Sequence, residues 1–358
     1  MRSSSKCCGR RWAEARRRPA VALRCGGWGS RRRWRCRTSS RTRSLRRLVD
    51  TTKPTSNTTI MEHKRHHWVP TSYLDAWVDP QAPTSKEPYV WVFTKDGKPL
   101  DHSTTQNLFH KKDLYTIRAK DGSRDLYVET KLLHGIESNF VPVRDKLSRG
   151  ESLTTTELLH LCAFTAALRG RTLPTVKSIA ASYQDVKRQI DRIATAQHKQ
   201  FGMGSDPDPL ASLRQDPTYA DVEAMANNPA VAWLVGSLRL YVPALTAMHL
   251  TVLRTADVTG FITSDNPCVL TDADIASYPA FYKAPQLGSQ EAEVTLPLSP
   301  RMYALFSWSR RHNTVTVGPE TVELVNRQTC AFSDQRVVVC RNEFRPQWLP
   351  IGLGQAEK

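Results

Sequence analysis

Apolar and polar positions divide the first half of the chain into a β-rich start and a helical centre. The run of aromatic and β-branched residues at 89–93 predicts a strand, and the short apolar stretches at 113–117 and 125–128 predict the two arms of a hairpin. From 129 to about 255 the apolar positions recur with helical spacing, with breaks near Pro-rich and Gly-rich connections. The centre of the chain is therefore expected to be helical.

The pattern changes again in the last third of the chain. Residues 260–270 and 293–308 are typical of strands and turns, a helical stretch follows, and 335–340 predicts a final strand. Strands, then helices, then strands favour an α+β fold over alternating βαβ units. Because each β region is small on its own, we expect the helical centre to pack on one sheet built from N-terminal and C-terminal strands.

An aromatic segment at 66–77 opens the patterned region. Pro70 suits a first helical turn, so we expect the segment to begin a helix with its apolar residues on one face. Those residues are Tyr73, Leu74 and Trp77, and they should bury against the central helices.

Charge separates the first 60 residues from the rest. The chain carries a net charge of +17, yet 1–60 alone holds 18 Lys and Arg against two acidic residues, so 61–358 is nearly neutral. Three interpretations of 1–60 stay open: a nucleic-acid-binding arm, a transit-like targeting segment, or a disordered leader upstream of the true start. We favour the leader, with a single α+β domain at 61–358, and expect a chain beginning at Met61 to fold as well as the full one.

The cysteines and the longest apolar run place limits on the class of protein. Four of the eight cysteines lie beyond residue 61, never in C-x-x-C spacing, which favours reduced thiols and a cytoplasmic location. The run at 229–253 contains Arg239 and His249 and is broken by Pro243, so we interpret it as buried helices and expect no membrane span.

Six short stretches, in order, resemble the motifs of one mostly bacterial family, the domain of unknown function 4238. The resemblance extends over about residues 63–340. It implies that such a protein begins just before the His-His motif, and it identifies relatives without identifying a reaction. The stretches are HHWVPTSYLDAW (66–77), TQNLFHKKDLYTI (105–117), ETKLLHGIESNFVPVRDKL (129–147), FTAALRGRTLP (164–174), ITSDNPCVL (262–270) and LPLSP (296–300).

Two histidines in the first motif are the leading candidates for chemistry. Neutral imidazole takes up a proton near pH 7 or binds a metal, which makes His67 a candidate base, with His66 beside it. On a helix start they would point about 100° apart, so both would rarely serve one metal. The alternative is that one forms local hydrogen bonds and the other is exposed.

Charged side chains in the helical centre add further candidates. Glu129 and Glu137 share a helix face about 12 Å apart, so one can act while the other holds an arginine; a solvated face is the alternative. In RGRTLP the spacing departs from the family pattern by one residue, and counting from Phe164 favours Arg171 over Arg169. Arg171 would clamp an anion, or else cap the helix or form a buried ion pair.

Asp265 in TSDNP is the last candidate. It follows an apolar strand, where loops often carry sites, although Asp-Asn-Pro is also ordinary turn chemistry. We expect Asp265 to lie within about 10 Å of His67 across a groove, so that His67→Ala and Asp265→Ala abolish activity without unfolding the chain.

Two functions from different classes follow. The first is a hydrolase, nuclease-like and of a defence or toxin type, with His67 as base or metal ligand, Asp265 or Glu137 as acid or ligand of a divalent metal, and Arg171 stabilising an anion. The second is a non-enzymatic binding or regulatory protein whose motifs are structural. Partners stay open: nucleic acid is compatible with the first function, although the core is nearly neutral.

Overall fold

The computed structural model of the chain describes five stretches of sequence. They are residues 65–118, 123–201, 215–273, 285–309 and 313–349. The Arg-rich segment at 1–60 lies outside the described residues, so its role as a leader stays a prediction.

The centre of the described chain is helical, as its apolar spacing predicts. A capping box at Thr154 starts the helix that ends at Arg171: the Thr154 hydroxyl accepts the Glu157 N–H, and the Glu157 carboxylate accepts the Thr154 N–H. The next helix begins two residues later, at Leu173. The helices are α1 (Thr71–Leu74), α2 (His134–Ser148), α3 (Thr155–Arg171), α4 (Leu173–Phe201), α5 (Pro217–Asn227), α6 (Pro229–Ala247) and α7 (Pro319–Phe332).

The strands lie on both sides of the helical centre, which confirms the α+β class. In the described residues they are β1 (Arg65–His67), β2 (Val90–Thr94), β3 (Pro99–Ser103), β4 (His110–Lys112), β5 (Ile117–Arg118), β6 (Arg124–Asp125), β7 (His249–Arg254), β8 (Thr263–Ser264), β9 (Val269–Asp272), β10 (Ala292–Ser299), β11 (Met302–Ser307), β12 (Thr314–Thr316) and β13 (Arg336–Val339).

Strands from both ends of the chain share a four-stranded sheet, as expected. Its order is β3-β2-β13-β8, with Val338 of β13 opposite Val92 of β2 and Thr263 of β8. The β5–β6 pair forms the expected hairpin, although the chain turns helical soon after Asp125. The shared sheet brings the two termini of the patterned region together.

A second sheet, of five strands, comes entirely from the C-terminal half and was not expected. Its order is β12-β7-β11-β10-β9. The expectation of helix up to Thr255 is wrong for β7, which pairs with β11 at Thr251 and Leu305. A short apolar run is ambiguous between helix and strand, and here α6 ends at Ala247 and a neighbouring strand supplies the hydrogen bonds.

The expectation of a helix start at 66–77 is wrong for its first residues. His66 and His67 lie in β1, which pairs with β4 so that His67 faces His110. Pro70 explains the difference, because a residue before proline is pushed towards extended backbone; α1 therefore begins only at Thr71.

The aromatic residues after β1 anchor this segment in the core, as expected. Tyr73, Leu74 and Trp77 are fully buried, and the Tyr73 ring packs on Phe140 of α2 and Phe164 of α3. Their polar atoms are also used: the Tyr73 hydroxyl donates to the Pro297 carbonyl at 2.9 Å, and the Trp77 indole donates to the Phe261 carbonyl at 2.9 Å. The histidine strand is thus held at a fixed position beside the central helices.

One helix in the described part of the chain, α6, is long and apolar enough to cross a membrane by length and composition. Only 28% of its most apolar window is buried, so the expected burial applies to one side of the helix. Core helices of soluble proteins pass the same test, and α6 packs on α3, where the Ser237 hydroxyl donates to the Ala166 carbonyl at 2.7 Å. The cytoplasmic location stays a prediction.

Candidate functional site

His66 has a structural environment. It is fully buried, and its Nδ1 accepts the backbone N–H of Tyr115 at 2.9 Å. Its ring stacks nearly parallel to the Tyr115 ring, with 5.8 Å between centroids. Because residues of a strand alternate sides, His66 holds Tyr115 in place while its neighbour faces the other way.

His67 is half-buried and has a defined tautomer. Its Nε2 lies 3.0 Å from the Gln106 carbonyl oxygen. A carbonyl only accepts hydrogen bonds, so Nε2 carries the proton and the neutral ring keeps its lone pair on Nδ1. Burial lowers the pKa of His67 below 6.5, partly offset by the Gln106 hydrogen bond. At neutral pH His67 is therefore an uncharged base.

Arg171 and Glu137 form an ion pair between α3 and α2. Arg171 Nη1 donates to Glu137 Oε1 at 2.7 Å, and the side chains are 1% and 26% exposed. Burial disfavours the charged guanidinium, but the charge and hydrogen bond of Glu137, together with Tyr115 and Glu129, outweigh it, so the pKa of Arg171 is raised. Arg169, by contrast, donates to the Cys268 carbonyl at 3.1 Å.

A close contact between α3 and α6 lies one residue before Arg171. A Cβ on Gly170 would lie 2.6 Å from both Cβ and Oγ of Ser237, so only glycine fits there. The contact sets the spacing of the two helices, and Arg171 instead pairs with Glu137 of α2. Its guanidinium is directed into the space between α2 and α3.

Glu129 lies in a π-helical turn, Val128–Leu133, immediately before α2. Such turns are rare and occur frequently at functional sites. Burial raises the pKa of Glu129 to about 7, the nearby charge of Glu137 adds to the rise, and Arg171 opposes it. A carboxyl group that is half-protonated at neutral pH is suited to general acid–base chemistry.

Five side chains form one electrostatically coupled group, which we call the Arg171 cluster: His67, Tyr115, Glu129, Glu137 and Arg171. Within the described part of the chain, three of its buried polar atoms have no hydrogen-bond partner, namely Tyr115 Oη, Glu129 Oε2 and Arg171 Nε. A buried polar atom left unpaired costs about 1–3 kcal/mol. Three together mark the place where a polar ligand would be accommodated.

Asp265 has a different environment, which gives it a structural role. Its Oδ1 accepts the N–H of Asp334 at 2.8 Å, and its Oδ2 accepts those of Gln335 at 2.8 Å and Arg336 at 2.9 Å. Burial raises the pKa of Asp265 and the three amides oppose that rise. The carboxylate holds the loop between α7 and β13, so we now expect Asp265→Ala to weaken folding, contrary to the expectation from sequence.

The geometry does not fit the divalent-metal version of the site. Among the described residues, no three His, Cys, Asp or Glu side chains lie close enough together to hold a metal ion. One Glu137 oxygen holds Arg171, and both Asp265 oxygens are occupied by amides. His67, Glu137 and Asp265 therefore do not form a three-ligand metal site.

Two members of the cluster were missed or undervalued by sequence reasoning. Tyr115 lies in the KDLYT block and was not named as a candidate, and Glu129 was named only as one of two glutamates of which either could act. The stretches at 105–117 and 129–147 that resemble the family motifs were the available signal for both. Nothing in their spacing indicates a π-helical turn or the burial that raises the pKa of Glu129.

Comparison with known proteins gives a single result. A family model described as "Protein of unknown function (DUF4238)" matches residues 65–343, which includes every residue of the Arg171 cluster. No curated protein and no solved structure was found to match the chain.

Proposed function

Since the chain belongs to the DUF4238 family of proteins of unknown function, we propose an activity from its site: hydrolysis by general acid–base catalysis at the Arg171 cluster. His67 is the general base, Glu129 the general acid, and Arg171 the group that stabilises negative charge. Glu137 positions Arg171, and Tyr115 orients the bound group through its free hydroxyl.

The proposed reaction balances without a further reactant. His67 Nδ1 takes a proton from water, and the water oxygen bonds to the electrophilic atom of the substrate. The bond to the leaving group breaks as Glu129 gives it a proton, while Arg171 stabilises the charge that develops on the substrate. Solvent then carries the proton from His67 back to Glu129.

The observation that carries this proposal is the pKa of about 7 of Glu129, which interacts with the same Glu137 and Arg171 as His67, whose pKa is lowered. The base must be deprotonated, which requires a pH above the lowered pKa of His67. The acid must be protonated, which requires a pH below about 7. Such a pair works in a pH window that ends near 7, the pKa of Glu129, and begins at the lowered pKa of His67.

Direct titration of Glu129 tests the proposal without a known substrate. Carboxyl infrared difference spectra of the wild-type chain and Glu129→Gln should isolate one carboxyl with a midpoint near 7. A Glu129 that titrates near the ordinary value of about 4.3 overturns the proposal. Glu87→Gln, an exposed loop residue, is the matched control and should not remove that signal.

Turnover is tested with p-nitrophenyl acetate, bis-p-nitrophenyl phosphate and single-stranded RNA. We expect cleavage of at least one to be lost in both His67→Gln and Glu129→Gln and kept in Glu87→Gln. The nuclease-like version predicts the phosphodiesters, and a toxin role further predicts that wild-type expression slows bacterial growth while the two variants do not.

A binding function without chemistry is the second candidate. The unpaired buried atoms Tyr115 Oη and Arg171 Nε favour it, because they would serve a bound anion equally well. Anion binding that survives in Glu129→Gln, with no turnover by the wild-type chain, supports this alternative over hydrolysis.

A further inference from the structure

A cavity of about 310 Å³ lies next to the Arg171 cluster. His110 lines it, and the His110 ring meets the His67 ring edge-on with 5.5 Å between centroids. His110 therefore connects the cavity to His67, the proposed base. Ligand sites range from about 300 to 1,000 Å³, so this cavity suits a single small unit.

One wall of the cavity is aromatic and rigid. Trp68 and Phe109 both line it, with ring centroids 5.8 Å apart, and the Trp68 indole donates to the Asp265 carbonyl at 3.3 Å. Phe109 adopts a φ of 51°, a left-handed conformation that is a genuine outlier for a bulky side chain. Its carbonyl accepts the Trp68 N–H at 2.9 Å, so the strained residue is tied to the aromatic wall. Strain of this kind tends to cluster at binding sites.

Another wall of the cavity is positive. Lys177 and Arg336 line it, and neither forms an ion pair with any described residue. Leu173 and Pro174, the first residues of the 29-residue α4, also line the cavity, so the positive end of that helix faces it.

Two carboxylates, Asp265 and Asp334, lie on the same lining, so its formal charge is balanced. Both oxygens of Asp265 are already hydrogen-bonded to backbone amides. Because backbone amides fill both Asp265 oxygens, the lining groups that remain available to contact a ligand are two cations, the N-terminus of α4 and one carboxylate, which favours an anion.

We propose that this cavity binds one nucleotide, with its base against Trp68 and Phe109 and its phosphate between Lys177 and Arg336. Aromatic side chains with a nearby cation are the combination that binds single nucleotide units without regard to sequence. The phosphate would lie beside His110 and hence near His67. The proposal that the cavity binds a nucleotide does not depend on the proposed hydrolysis. Only the further step, that the bound nucleotide is the substrate, rests on the proposed function.

Calorimetric titration of the full chain tests this, with adenosine 5′-monophosphate, adenosine, inorganic phosphate and tetra-adenylate RNA as probes. We expect the monophosphate to bind at least tenfold more tightly than adenosine or phosphate alone, because only it engages both walls. Lys177→Gln and Arg336→Gln, both at exposed positions, should each weaken the monophosphate about tenfold. Tighter binding of tetra-adenylate identifies an RNA strand as the natural source; equal binding identifies the free nucleotide.

Lys187→Gln is the matched control, because Lys187 is on the same helix about 15 Å further along. Three results overturn the proposal: no binding of the monophosphate, equal binding of adenosine, or an affinity unchanged by Lys177→Gln and Arg336→Gln. The titrations are repeated in Glu129→Gln. Nucleotide binding that persists in Glu129→Gln, combined with a Glu129 that titrates near its ordinary value in the wild-type chain, would remove the hydrolase proposal and leave this one standing.

Discussion

The Arg171 cluster and the Asp265 loop both contain a buried carboxyl group whose pKa burial raises, yet they differ in how their atoms are paired. Every Asp265 oxygen accepts a backbone N–H, and the three donors belong to consecutive residues. In the Arg171 cluster, buried polar atoms of Glu129, Tyr115 and Arg171 have no partner in the described part of the chain. A saturated carboxylate stabilises a loop, whereas an unsaturated group is available to a ligand.

Of the two carboxyl groups, Glu129 and Asp265, substitution of Glu129 should lower activity most while leaving folding intact. Glu129→Gln removes the proposed acid but keeps its shape, so turnover should fall by about 10²–10⁴. Stability at pH 8 should be unchanged or higher, because the variant no longer buries a charge. Rates on bis-p-nitrophenyl phosphate and urea denaturation measure the two quantities. A Glu129→Gln variant that is less stable than the wild-type chain but keeps its full activity would reverse the comparison.

Asp265→Ala should show the opposite result. Removing the carboxylate leaves three backbone N–H groups without an acceptor, which should lower the free energy of unfolding by roughly 3–5 kcal/mol. Asp265→Asn keeps one acceptor and should lose less. Urea denaturation measures both, with Asp221→Ala, an exposed position on α5, as control. A fully stable Asp265→Ala that has lost activity would return Asp265 to the catalytic candidates.

Arg171→Met should break the ion pair and leave Glu137 partly buried without its partner. We expect a loss of about 3 kcal/mol in stability. The pKa of Glu129 should also rise above 7, because Arg171 lowers it, whereas Glu137→Gln should reduce it, because Glu137 raises it. Infrared titration of Glu129 in the two variants measures these shifts. Shifts in the same direction would show that the electrostatic coupling is wrong.

The pH dependence of stability gives a smaller effect. The folded-state pKa of Glu129 lies near 7, above its unfolded value, so the folded chain binds more protons between about pH 4.5 and 7. Its contribution is present in full below that window and is lost as the pH rises through it. After allowance for partial exposure we expect about 1–2 kcal/mol. The slope should be absent in Glu129→Gln and retained in Glu87→Gln, as denaturation at successive pH values can check.

Gly170→Ala should have the smallest effect on stability, about 1–2 kcal/mol, because overpacking against Ser237 is partly offset by the higher helix propensity of alanine. Displacement of α6 should nevertheless shift Arg171 and so alter the pKa of Glu129. Adding Ser237→Gly removes the atoms that collide and should restore both quantities. A double variant no better than Gly170→Ala would place the strain elsewhere.

Much of the fold was predictable because local signals were strong. The Thr154 capping box, the strands within 293–308 and the strand at 336–339 depend on residues near each other in sequence. The β7 strand was missed because an apolar run continues there from α6 without any change of period. His66 and His67 were placed on a helix because Pro70 was interpreted as a first turn, when its stronger effect is on the residue before it.

The sequence by itself determined the α+β class, the family and most members of the candidate group, because periodicity, capping and ordered motifs are local properties. Only the tertiary structure decided which carboxyl groups are paired. Burial and hydrogen bonding depend on what the rest of the chain brings alongside, over separations as long as those between His67 and Arg171 or between Asp265 and the 334–336 loop. That long-range environment gives Glu129 its neutral-pH proton and gives Asp265 its three amides, although in sequence both are acidic residues beside an apolar stretch.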